Sequence, residues 1–183
     1  MLFFSLKISP NSLSEIIKLS LLYLQYMNIF YVHKDPIVAA QMLADDHIRK
    51  MQIESAQMLC TAHWETGGEA PYKRAHKNHP STIWARQSLQ HYRWLLKHGL
   101  EICYEFEKRY GKRHATQAVL EWCELNIPNI PNVEFVEPPL CMPEEFKIDD
   151  TIGSYRNFYI NDKVKIKKLD WKKNPERKPN WIL

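Results

Sequence analysis

The sequence predicts an all-α protein: a single compact domain of a few helices, two of them long, with a proline-rich crossover loop and a basic C-terminal arm. Three observations carry this expectation. Apolar side chains recur at three- and four-residue spacing along two stretches, which places them on one face of a helix. Residues that start or stop helices bound the stretches: Asp35-Pro36 and Pro80-Ser81 at their beginnings, Gly111 at the end of the second. The chain has 183 residues and is 45% hydrophobic, enough for a continuous core and too apolar to stay disordered.

In chain order, residues 1–26 read as an N-terminal extension: an apolar start, then Pro10, Asn11 and Ser12, then an amphipathic helix over 13–26. Pro10, Glu15 and Lys18 interrupt its apolar character and no basic residue opens it, so neither a membrane span nor a signal peptide fits. A fresh pattern begins at Met27 (Met-Asn-Ile-Phe-Tyr-Val), and the expectation is that the protein proper starts there and that residues 27–183 form one domain. Residues 28–32 suit a short strand or an extended segment. From Asp35-Pro36 to about His63 a single long helix is expected, with a stripe of Leu43, His47, Met51, Glu54/Ser55, Met58 and Ala62. Gly67, Gly68 and Pro71 mark a loop. The second long helix runs from Pro80 to Tyr110, its stripe passing through Trp84, Ser88, Tyr92, Leu95, Leu96, Gly99, Cys103 and Phe106. A third helix is expected over 115–125. Pro128, Pro131, Pro138, Pro139 and Pro143 make residues 126–143 an irregular crossover, with Phe135 and Val136 turned inward. Asp150 caps a short helix reaching Tyr159, and the basic arm follows.

Cys60, Cys103, Cys123 and Cys141 are widely spaced with no CxxC pair, which argues against a disulfide or zinc framework and for a reduced, cytoplasmic setting. The net charge of +4 is modest, but it is concentrated. Residues 163–178 carry Lys163, Lys165, Lys167, Lys168, Lys172, Lys173, Arg177 and Lys178 against Asp170 and Glu176. A second cluster holds Lys73, Arg74 and Lys77 with His76 and His79. Such clusters attract a phosphate backbone by Coulomb attraction and counterion release, although a merely solvated surface has the same composition. Double-stranded DNA is therefore the expected partner, met by a monomer with no membrane association. The spacing of His76 and His79 falls in a predicted loop with no matching carboxylate or cysteine close by in the sequence, so no metal and no cofactor are expected. The chain has no glycine-rich phosphate loop, nucleophile elbow or HExxH motif, which counts against nucleoside-triphosphate hydrolysis and zinc-protease chemistry.

One residue breaks the apolar stripe. Glu54 lies three residues after Met51 and four before Met58, and His47 lies two helical turns earlier on the same face. A carboxylate set against methionines is desolvated, which raises its pKa and suits it to acid–base work. The plainer alternative is a glutamate at the stripe's edge, reaching solvent or paired with Lys50. For His47 the plainer alternative is a hydrogen-bonded core histidine.

Four segments in the same order along the chain resemble a known family. Leu43-Ala44-Asp45-Asp46-His47-Ile48, with Glu54 downstream, looks like a segment of the T-even phage type of pyrimidine-dimer DNA glycosylase/AP lyase. His76-Lys77-Asn78-His79-Pro80 is similar to the entry of that family's second long helix. Met142-Pro143-Glu144-Glu145-Phe146-Lys147 and Lys178-Pro179-Asn180-Trp181 resemble two of its later segments. The resemblance implies an all-α fold and a two-step reaction. The free amine of the chain terminus attacks C1′ of the damaged nucleoside and expels the base, a helix glutamate assists, and the resulting imine permits β-elimination. Carried onto this chain, it implies Glu54 as the carboxylate, the amine from Met27 or Asn28, and His47 as a neighbour in the pocket. Lys73, Arg74, Lys77, His79, Lys165, Lys167, Lys168, Lys172 and Lys173 are the expected DNA contacts. The family's arginines beside the glutamate are replaced here by Ile53 and Gln57. Two other functions fit the residues: a non-catalytic DNA-binding accessory protein, and a nucleotide-processing enzyme of another class.

Overall fold

A computed structural model describes residues 27–183; the helix expected over 13–26 lies outside the described residues. The described residues form one strand-free helical domain. The elements are α1 (Pro36–Gln41), α2 (Asp45–Ile48), α3 (Met51–Glu65), α4 (Pro80–Gln87), α5 (Leu89–Tyr110), α6 (Gln117–Leu125), a 3-10 turn (Glu144–Phe146) and α7 (Thr151–Phe158). A π-helical turn (Tyr159–Val164) continues α7, and a last 3-10 turn (Pro175–Arg177) lies in the arm. Residues 28–32 are extended but form no strand.

Each of the two long helices expected from the periodicity is interrupted. The first becomes α1, α2 and α3. It starts as the sequence indicates, with Pro36 in the first turn and Asp35 Oδ1 accepting from the N–H groups of Ile37 (2.8 Å) and Val38 (3.3 Å). It breaks at Ala44, whose backbone is extended (ψ 161°), because partners outside the helix take the polar groups of the turn. The Gln41 and Leu43 carbonyls accept from Arg109, and the Ala44 and Asp45 N–H groups donate to the Tyr159 hydroxyl and the Asp170 carbonyl. The second breaks at Ser88, also extended, whose hydroxyl accepts from Gln90 N–H and donates to the Val133 carbonyl. α5 then runs 22 residues to Gly111, which closes it in the left-handed region at φ +69°.

α3 lies at the centre of the domain: eleven of its fifteen residues are buried, on every side of the helix. α5 packs along it and against α6 at Gly99, where an added Cβ would lie 3.1 Å from Ser55 Cβ and 3.2 Å from a Leu120 methyl. The crossover 126–143 contains no helix. Phe135 packs against Trp84 and His91, whereas Val136 faces solvent, 63% exposed, contrary to expectation. The cause is its backbone: the Val136 N–H donates to His91 Nε2 and its carbonyl accepts from the Trp84 indole, which turns the side chain outward. All four cysteines are buried and free.

The basic C-terminal segment is tied down. The Trp171 indole donates to the Met42 carbonyl, the Lys173 N–H donates to Asp45, and Arg177 pairs with Glu105. These contacts converge on a buried charge network. Arg109, with a fully buried side chain, binds Asp45 at 3.1 Å and Glu105 at 3.2 Å while also donating to the turn between α1 and α2. Removing Arg109 leaves the Asp45 carboxylate without this cation, Glu105 with Arg177 and Lys108 alone, and two carbonyls without this donor, so Arg109→Ala is expected to cost about 3–5 kcal/mol in urea unfolding. A destabilisation below about 1 kcal/mol, the value of an exposed pair, would contradict the role assigned to this network.

Candidate active site

The site forms where the extended segment after Met27 crosses the first turn of α3. Residues 27–32 are all buried, and Asn28 fixes them in place. Its side chain donates to the Cys141 carbonyl (2.8 Å) and accepts from Phe30 N–H (2.8 Å). The segment then turns sharply. Phe30 takes a left-handed backbone (φ +52°), a conformation that costs a non-glycine residue roughly 1–2 kcal/mol. That turn stacks its ring on the His47 imidazole, centroids 4.3 Å apart.

Glu54 is 6% exposed. Its two oxygens meet donors from different parts of the chain. Oε2 accepts from the backbone N–H of Asn28 at 3.0 Å, and Oε1 pairs with Lys50 Nζ at 3.0 Å. Burial raises the Glu54 pKa, while Lys50, the Asn28 N–H and the nearby His76 oppose the rise. The carboxylate is thus buried and at the same time paired with Lys50. A carboxyl whose pKa is raised by burial is moved in the direction that suits acid–base work.

His47 lies on α2, held between Phe30 and Tyr159. The Tyr159 hydroxyl accepts from Ala44 N–H (2.9 Å) and shares a hydrogen bond with His47 Nδ1 (2.8 Å). Burial, with Lys163 and Lys50 nearby, pushes the His47 pKa down to about 3, so the ring is neutral at physiological pH.

The structure thus joins Asn28 to Glu54 directly, and to His47 through Phe30, while the buried Met27 accepts from the Thr82 hydroxyl at its sulfur. The other residues named from the sequence are dispersed. Lys73 and Lys77 are exposed on the loop before α4, and Arg74 is paired with Glu65 at 2.9 Å. His79 is buried and caps α4 by accepting from Ser81 N–H. Lys165, Lys167 and Lys168 are exposed after the π-helical turn. Lys172 pairs with Asp170, and Lys173 lies over Tyr110 at the corner held by Asp45. Phe30 and Tyr159 join the site without any sequence motif that marks them, and Lys163, marked only as one of the basic residues of the arm, lies near His47. Lys50 alone carries a local signal, its four-residue spacing from Glu54. Among the described residues no group of three or more His, Cys, Asp or Glu is arranged to hold a metal ion, and no helix is long and apolar enough to cross a membrane.

The depressed His47 pKa fixes a pH dependence. Between pH 6.5 and about 3 the unfolded chain binds a proton at His47 that the folded chain refuses, so this group's contribution to stability is complete above pH 6.5 and is lost as pH falls. Glu54, with a raised pKa, acts in the opposite sense: its contribution is present at low pH and is lost as pH rises through its folded value. Comparing wild type with His47→Gln therefore isolates the histidine. Urea unfolding at pH 7 and pH 5 is expected to show a pH-dependent loss smaller by about 2 kcal/mol in the variant. Equal losses would mean that His47 titrates freely in the fold.

No curated protein and no solved structure matches the chain. A protein-family model does: pyrimidine dimer DNA glycosylase, over residues 27–118, just over half of the chain. The matched stretch contains Met27, Asn28, His47, Lys50 and Glu54, and it ends before the crossover and the basic C-terminal segment. It therefore spans the whole of the Asn28–Glu54 crossing, and on that match the chain belongs to the pyrimidine dimer DNA glycosylase family.

Proposed function

We propose that this protein is a DNA base-excision glycosylase with associated AP-lyase activity, acting on double-stranded DNA through an imine formed by an amine at residue 27 or 28. One observation carries the reading: the Asn28 nitrogen lies 3.0 Å from a buried Glu54 carboxylate. In a chain beginning at Asn28, that nitrogen is an α-amine rather than an amide. Its reference pKa of about 8 leaves a useful fraction unprotonated at neutral pH. The amine attacks C1′ and the glycosidic bond breaks toward the base. Glu54 stabilises positive charge on the sugar, then supplies and removes protons through ring opening and β-elimination. Drawing a base from the stack costs a few kcal/mol, less at a damaged pair.

Ile53 and Gln57 flank Glu54 without charge. The grip on phosphates therefore falls to the exposed lysines of the loop and arm.

Two measurements test this reading. A chain starting at Met27 or Asn28, incubated with abasic-site duplex and borohydride, is expected to form a covalent adduct. Glu54→Gln should lower base release by about 10²–10⁴-fold while leaving DNA affinity unchanged. DNA binding without an adduct on any damaged substrate would leave a non-catalytic DNA-binding protein. Salt dependence reports on the phosphate grip, because each lysine withdrawn from a phosphate lowers the log–log slope by about 0.9. Replacing Lys165, Lys167 and Lys168 together by Gln is thus expected to flatten that slope by roughly 2–3. An unchanged slope would remove these lysines from the interface.

A further inference from the structure

The site contains a second amine. Lys50 Nζ touches Glu54 Oε1 at 3.0 Å, and the lysine side chain is 59% exposed while the carboxylate side chain is 8% exposed. The amine therefore reaches solvent while the carboxylate lies beneath the surface. Wherever residue 27 precedes Asn28, the Asn28 nitrogen is an amide. Its lone pair is delocalised into the carbonyl and its N–H is already given to Glu54, so it is no nucleophile. Among the described residues, Lys50 then supplies the one primary amine in contact with the candidate acid.

We infer that Lys50 is itself an imine-forming residue, the nucleophile of the lyase step in a chain that retains residues ahead of Met27. The inference rests on the glycosylase/lyase reading above and on the same Glu54. The chemistry balances with the two side chains and water. The ammonium of Lys50 passes a proton to Glu54, and its lone pair forms a bond to C1′. At a damaged nucleoside the electron pair of the glycosidic bond leaves with the base, which takes the proton from Glu54; at an abasic site the aldehyde oxygen leaves as water. The bonded nitrogen, which still carries an extra proton, gives it through Glu54 to the departing oxygen (O4′ of the closed ring, or the water lost at an abasic site), and its freed lone pair then forms the C1′=N bond. Glu54, now ionised, removes a proton from C2′, and the C3′–O3′ bond breaks with the 3′ phosphate as leaving group. Water hydrolyses the conjugated imine, releasing an unsaturated aldehyde and restoring the lysine.

The surroundings suit this role. Glu54 is the group that takes the proton, and it is close enough to act without an intervening water. The Asn28 N–H holds the far oxygen, which directs the near oxygen toward Lys50 and the approaching sugar. His47 is neutral and adds no competing positive charge.

The test uses the full 183-residue chain, an abasic-site duplex and sodium borohydride, followed by proteolysis and mass spectrometry of the adduct. The expected result is a reduced sugar on the peptide containing Lys50, and loss of the adduct in Lys50→Arg. That variant keeps a cation beside Glu54, and a circular dichroism melt matching wild type shows that it is folded. An adduct on another lysine, or undiminished trapping by Lys50→Arg, overturns the inference. So does trapping only in a chain cut to begin at Met27 or Asn28, on its α-amine, which would leave the glycosylase/lyase reading standing. Absence of an adduct in both chain forms overturns the two together.

Discussion

A carboxylate carried into the protein at Glu54 must be compensated, and two donors do so: the backbone N–H of Asn28 on one oxygen and the ammonium of Lys50 on the other. That pair of contacts sets the course of the chain. It requires the segment after Met27 to run buried across the first turn of α3, with Asn28 anchored to the Cys141 carbonyl and Phe30 bent into a left-handed backbone. The bend places Phe30 on His47, and Tyr159 closes the far side of the ring. The pocket is therefore built from the N-terminal segment, two early helices and the turn that follows α7, brought together around one acidic group.

The charge network of Arg109 is what lets these parts be held at fixed positions. It satisfies the carbonyls freed where α1 ends and ties α2, which bears His47, to α5. Through Glu105 and Arg177 it also fastens the basic C-terminal segment to the helical body. Exposed lysines such as Lys167 and Lys168 thus project from an anchored chain. An anchored cation loses less freedom on meeting a phosphate than one on a loose tail, so the cost of ordering is met largely during folding.

Much of this is legible in the sequence where the signal is local. The caps at Asp35 and Asp150, the stop at Gly111 and the Glu54 irregularity in an apolar stripe all depend on neighbours within a few positions. The interruptions of the two long helices are not legible, because their causes lie far along the chain. Leu43 and Gln41 turn their carbonyls to Arg109, and Ala44 gives its N–H to Tyr159. Ser88 fits the helical period of the stripe, yet it serves as a cap once Val133 is brought beside it. His79 stands among basic residues and shares their expected role, although a residue just ahead of Pro80 is placed to cap the helix that the proline opens. The roles of Phe30 and Tyr159 depend on contacts spanning more than a hundred residues or on an unusual backbone angle, and no spacing rule encodes either.

The central claim is that the sugar carbon reacts beside the buried carboxylate. A crystal structure of the borohydride-reduced protein–DNA adduct tests it most directly. C1′ of the opened sugar is expected to be bonded to an amine at the Asn28–Glu54 crossing, with a Glu54 oxygen within about 3.5 Å of the reacting sugar. A sugar bonded to an amine elsewhere on the protein, with Glu54 still enclosed between Asn28 and Lys50 and remote from the DNA, would contradict it.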